Sequence, residues 1–111
     1  MGTELLRESI AARNAACERE RCAVRERLAA AVQDLLPKAS RLWVYGSLIK
    51  PGRFREWSDV DVALDRDPPR MSIHLLASLL SERCRRHVDL CLIGETRLAA
   101  AIRAGGESWT V

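Results

Sequence analysis

The chain has 111 residues, enough for one hydrophobic core and too few for a second, so residues 1–111 are expected to form a single domain. With 48% hydrophobic and 30% charged residues its balance is that of a folded protein, and no apolar run nears the ~20 residues that cross a bilayer. The formal net charge of +3, carried by dispersed arginines, gives no patch that would argue for direct nucleic-acid binding.

Residues 3–36 read as one long helix. Alanine, leucine, glutamate and arginine dominate and neither glycine nor proline interrupts; Thr3 offers a cap and Pro37 a stop. Val24, Leu28, Ala31, Val32 and Leu35 recur at helical spacing and make a candidate core face. The run Glu18, Arg19, Glu20, Arg21 reads as solvated or facing a partner. Such a helix would be ~50 Å long, more than so small a domain covers. Its N-terminal half is therefore expected either to project and bind another chain or to end in a bent or frayed segment.

Residues 41–45 form a short buried strand ending at Gly46, and 48–57 a loop with Pro51-Gly52 as its turn signal. A valine-rich strand over 59–64 follows, then a break at Asp67-Pro68-Pro69. Ser72 caps a helix running to residue 84, with Ile73, Leu76, Leu79 and Leu80 as its apolar face. A third strand covers 88–93, a short helix 96–103, and after Gly105-Gly106 a strand-like piece covers 108–111. This order describes an α+β fold, a small sheet flanked by helices.

The four cysteines, Cys17, Cys22, Cys84 and Cys91, do not form a disulfide framework. Cys17 and Cys22 fall on different faces of a helix. Cys84, His87 and Cys91 straddle a helix–strand boundary and lack the paired Cys-x-x-Cys of a zinc site. Reduced cysteines and a cytoplasmic location are the expectation. No basic-then-apolar segment opens the chain, so no secretory signal is expected, and Leu6 stands where a myristoylation signal needs Ser or Thr.

The residues that carry chemistry are Asp59 and Asp61. Side chains alternate along a strand, so these two project from one face while Val60, Val62 and Leu64 point to the other. Paired carboxylates repel unless a cation neutralises them, and hard oxygen donors suit magnesium or manganese, which complete their shells with water and substrate phosphates. A third carboxylate, Asp89, lies on the next strand, and Gly46-Ser47 precedes Asp59 by eleven intervening residues. Taken singly, each element has a plainer reading: solvated strand-end carboxylates, a turn serine, loop charges.

Together they resemble a family. Trp43-Val44-Tyr45-Gly46-Ser47, a basic loop, Ser58-Asp59-Val60-Asp61-Val62-Ala63-Leu64 and Val88-Asp89-Leu90 are similar to the minimal nucleotidyltransferases of the DNA polymerase β superfamily. The resemblance covers roughly residues 40–111. It implies a nucleotidyltransferase fold with a small mixed sheet, Mg2+ or Mn2+ held by Asp59, Asp61 and Asp89, and ATP as substrate. It also implies that Gly46 and Ser47 approach the phosphates, with Lys50 and Arg53, beside Arg55, flanking them. Asp89 would help deprotonate the acceptor hydroxyl. The gap from Ser47 to Asp59 is one longer than the family's usual spacing of about ten, an insertion that the loop tip at Pro51-Gly52 absorbs cheaply.

Small stand-alone members resemble the antitoxin half of a pair with a HEPN-domain toxin. The implied activity is transfer of AMP to a hydroxyl of that partner, with the long helix as a docking surface. The alternatives are a non-catalytic antitoxin that acts by covering its partner, or a small-molecule nucleotidyltransferase completed by a second subunit. Trp57 is expected to pack, His74 and His87 to be structural, and Asp65 and Asp67 to cap loops.

Overall fold

The structure, a computed structural model, describes residues 2–111. Its elements follow the expected order: α1 Gly2–Leu35, β1 Arg41–Tyr45, a 3-10 turn Gly46–Ile49, β2 Val60–Leu64, α2 Ile73–Cys84, β3 Val88–Leu92, α3 Ala99–Gly105 and β4 Glu107–Thr110. α1 already includes Gly2, so Thr3 lies inside the helix and does not cap it. Ser72 does cap α2, its hydroxyl accepting from Leu75 N–H at 3.1 Å. α3 starts later than the composition suggested. Thr96 Oγ1 accepts from Leu98 N–H at 3.2 Å, a side-chain turn that competes with helix over residues 96–98.

The four strands run β3-β2-β1-β4. β2 pairs with β3 in parallel, while β1 pairs antiparallel with both β2 and β4. α2 supplies the crossover that a parallel neighbour requires. The result is the mixed sheet flanked by helices that the sequence announced.

Alternation along the strands separates two apolar clusters. Leu42, Val44, Val60, Val62, Leu64 and Val88 turn to one face and meet Val24, Leu28, Ala31 and Val32 of α1 and Leu76, Leu80 and Cys84 of α2. Leu76 and Leu80 are fully buried, each contributing about 1.5–3 kcal/mol of transfer free energy. On the other face Trp43 and Ala63 meet Ile93 and Ile102, with only short α3 as cover. One face is a full core and the other is thinly roofed. The odd-numbered positions of β2, Asp61 among them, belong to the thin face.

α1 is longer than the body it packs on. Its buried residues run from Cys17 to Val32, residues 2–16 are all exposed, and the molecule extends 58 Å along its longest axis.

Candidate active site

β1 ends at Tyr45, and Gly46 turns the chain at φ +76°, a backbone conformation that side chains rarely adopt. A Cβ at Gly46 would overlap the Asp61 carboxylate oxygen and stand 3.4 Å from its Cγ. Glycine is therefore required here twice, by backbone angle and by the carboxylate pressed against it. Ser47, half-buried, accepts from Lys50 N–H through its backbone carbonyl at 3.1 Å, and buried Leu48 anchors the turn in the main core.

Register places the carboxylates. Asp61 is the partner of Tyr45 on β1 and of Asp89 on β3, so Asp61 and Asp89 stand side by side on one face of adjacent parallel strands. Asp59 lies one residue before β2. Asp61 is half-buried while Asp59 and Asp89 are exposed. Burial first, then the charges of Asp89 and Asp59, push the Asp61 carboxyl above its ordinary pKa, against a smaller opposing effect of His87. Burial likewise raises the Tyr45 phenol, reinforced by its contact with the Cys91 sulfur at 3.7 Å and by the nearby acids. Tyr45 is thus a neutral wall, not a base.

His87, read from sequence as an isolated structural residue, has its Nδ1 3.7 Å from Asp59 Oδ2. The two are far apart in sequence and meet because the turn into β3 runs beside the start of β2, where Val60 N–H donates to His87 O at 2.9 Å. As the side chains stand, no three His, Cys, Asp or Glu residues among the described ones converge into a metal-holding cluster. The donor set nevertheless suits a hard divalent cation. It offers three carboxylates, two of them adjacent in register, and a half-buried charge whose ionisation its own neighbours oppose.

The loop between Ile49 and Asp59 is held by α1. Glu18 accepts from Gly52 N–H at 3.2 Å, and Arg21, paired with Glu18 at 2.8 Å, donates to Leu48 O at 3.0 Å. Farther along, Arg13 pairs with Glu56 at 2.8 Å and Arg55 donates to Asn14 Oδ1 at 2.8 Å. The Arg13 guanidinium holds the Glu56 carboxyl down to about 2. Glu18 and Arg21, expected to face solvent or a partner, instead grip the chain's own loop. Only their i, i+3 spacing hinted at pairing, and nothing in the sequence signalled the contact with a loop some thirty residues on.

Lys50 and Arg53 are exposed and form no ion pair among the described residues, whereas Arg55 is committed to Asn14. Trp57 is 72% exposed, which corrects the expectation that it packs: Phe54, not Trp57, is the aromatic that the loop buries. All four cysteines are free, with Cys17 buried and Cys22 exposed as their helical offset required. Asp65 lies just past the end of β2, its N–H donating to Arg41 O, so it does not extend the carboxylate row.

No family model matches the chain, and no curated protein matches it in sequence. Solved structures do match. A chain of a toxin–antitoxin complex with AMP-PNP is 20% identical with a TM-score of 0.61, over 78% of this chain and 73% of that one. A chain of the MntA–HepT toxin–antitoxin complex is 17% identical with a TM-score of 0.55, over 79% and 71%. A third structure holds a tri-AMPylated HEPN toxin from Shewanella oneidensis in complex with MNT antitoxin, at 16% identity and a TM-score of 0.54 over 83% and 73%. At these identities the likeness is one of architecture: the chain has the nucleotidyltransferase fold found in MNT-type toxin–antitoxin complexes.

Proposed function

We propose that the chain is a magnesium-dependent nucleotidyltransferase that moves AMP from ATP to a hydroxyl, and that the hydroxyl belongs to a HEPN-domain toxin which the modification silences. The observation that carries this reading is the register pairing of Asp61 with Asp89 on the thinly covered face, with Gly46 directly against Asp61. The fold points the same way. One similar structure contains AMP-PNP, another an AMPylated toxin, and a mutant of an MntA–HepT-type complex has two aspartates, one residue apart, replaced by glutamates. That spacing is the one between Asp59 and Asp61.

Asp59, Asp61 and Asp89 are the residues that would hold the cation. When bound, it would neutralise the triphosphate and the charge that develops on the transferred phosphoryl group. The chain's own part is binding, orientation and one proton. Gly46 and Ser47 are the residues that would meet the phosphates: Gly46 lets the turn's backbone pass directly against the Asp61 carboxylate, and Ser47 adds a hydroxyl donor. Lys50 and Arg53, exposed and unpaired among the described residues, are free to draw the triphosphate in, while Arg55 is not. The acceptor oxygen attacks the α-phosphorus in line, the bond to the β-bridging oxygen breaks, and pyrophosphate leaves with that electron pair. Asp89, the more exposed of the two paired carboxylates, takes the acceptor proton.

Docking falls to α1 and the loop end. Leu6 and Ile10 continue the stripe of Cys17, Val24 and Leu28 beyond the chain's own body, at 59% and 49% exposure, and Trp57 stands exposed next to the Glu56–Arg13 pair. Incubation with α-32P-labelled ATP, Mg2+ and a candidate HEPN-domain toxin tests the proposal: label should pass to the toxin and add the mass of one AMP unit or more. Unlabelled partner that is nevertheless inhibited would establish the second reading, neutralisation by covering alone.

A further inference from the structure

Arg86 stands in the turn between α2 and β3, following Arg85, which leaves the helix at φ 56°. Its guanidinium reaches back across the molecule to the segment that delivers Asp59. Nη1 donates to the carbonyls of Arg55 at 3.1 Å, Glu56, and Ser58 at 3.3 Å. The guanidinium carbon lies 4.4 Å from the centroid of the Phe54 ring, and that ring is 1% exposed. One residue later, His87 O accepts from Val60 N–H at 2.9 Å and His87 Nδ1 faces Asp59 at 3.7 Å. The α2–β3 turn therefore holds the backbone on both sides of Asp59, and Asp59 is the one carboxylate of the three outside a strand.

Asp61 and Asp89 are placed by the β2–β3 ladder. Asp59 has no ladder of its own, and the chain before it, residues 50–58, is irregular. We propose that Arg86 is the positioning residue for Asp59: by gathering three carbonyls and stacking on Phe54 it fixes the segment 55–58, and through it the third carboxylate of the site. The role rests on the functional reading above, and it needs an arginine. A planar guanidinium can stack on a ring while its N–H groups collect several acceptors, whereas a lysine ammonium supplies donors without the flat face.

The test compares Arg86→Met, which keeps the apolar cover over Phe54 and removes the donors, with Arg86→Lys and the wild-type chain. Three readings are made: amide hydrogen exchange over 53–60, Mn2+ affinity by calorimetry, and the Mg2+ concentration that half-saturates AMP transfer. Arg86→Met should lose protection at Val60 and its neighbours while the amides of α2 and β1 keep theirs. Its cation affinity should fall about 10–100-fold, as for other residues that orient metal-holding groups, with Arg86→Lys between it and the wild type. Wild-type protection over 53–60 and unchanged Mn2+ affinity in Arg86→Met would overturn the assignment. Should the wild-type chain neither bind Mn2+ nor transfer AMP, the nucleotidyltransferase reading falls, and hydrogen exchange still decides whether Arg86 fixes the segment.

Discussion

The carboxylate of Asp61 occupies the space into which a side chain at Gly46 would grow. This contact ties the turn after β1 to β2, so the backbone of the turn and the carboxylate row are set by one packing decision. Gly46→Ala should therefore cost stability and abolish AMP transfer together. Gly52→Ala supplies the control, since Gly52 also has positive φ but opens onto empty space. Gly52→Ala should cost about 1 kcal/mol for backbone angle alone, and thermal unfolding should show Gly46→Ala clearly below it. Equal melting temperatures would mean that the Asp61 contact is not binding.

Asp61 carries a half-buried charge between two others of the same sign. Removing that charge should help folding and ruin function. Asp61→Asn is expected to melt a few degrees higher than the wild type in chelator, at neutral pH. Under the proposed function it should also lose AMP transfer, and Mn2+ should raise the melting temperature of the wild type but not of Asp61→Asn. A variant that melts lower in chelator would contradict this account of the site's electrostatics.

Glu107 links edge strand β4 to α1 through Arg25 at 2.7 Å and also accepts from Trp109 Nε1 at 2.7 Å. The hydrogen bond from Arg25 is the main reason its carboxyl is held below the ordinary 4.5. Because the folded-state value is depressed, the stabilisation is present above that ordinary value and is lost as pH falls below it, through the folded one. Melting curves of the wild type and Glu107→Gln should be separated at neutral pH and converge in acid. A gap that does not narrow as the pH falls below the ordinary carboxylate value would assign the effect to packing and not to charge.

Leu6 and Ile10 lie on the apolar stripe of α1 where its own domain no longer covers it. Leu6→Asp with Ile10→Asp should leave the isolated chain's melting temperature within about 2 °C, since exposed positions seldom matter to stability. Pulldown of the proposed HEPN-domain partner should weaken by at least tenfold, because charge placed in a docking face costs more than about 1.4 kcal/mol. Unchanged pulldown would move the interface away from α1.

What the sequence determined by itself was local or periodic. Alanine- and leucine-rich spacing marked α1, valine alternation marked β2, Ser72 capped α2, and the order of elements followed from these. The positions of Asp61 and Asp89 on strands and of Gly46 at the end of β1 were legible because period two fixes side-chain parity along a strand, whereas Asp59, one residue before β2, is not placed by that parity. Tertiary structure alone decided which residues serve them. His87 meets Asp59, Arg86 gathers the loop carbonyls, and Glu18 and Arg21 turn inward onto Gly52 and Leu48. Trp57 stays outside while Phe54 goes in. These contacts join residues some thirty positions apart through irregular loops, where no periodicity carries a direction and only the packed sheet and helices say which way a side chain points.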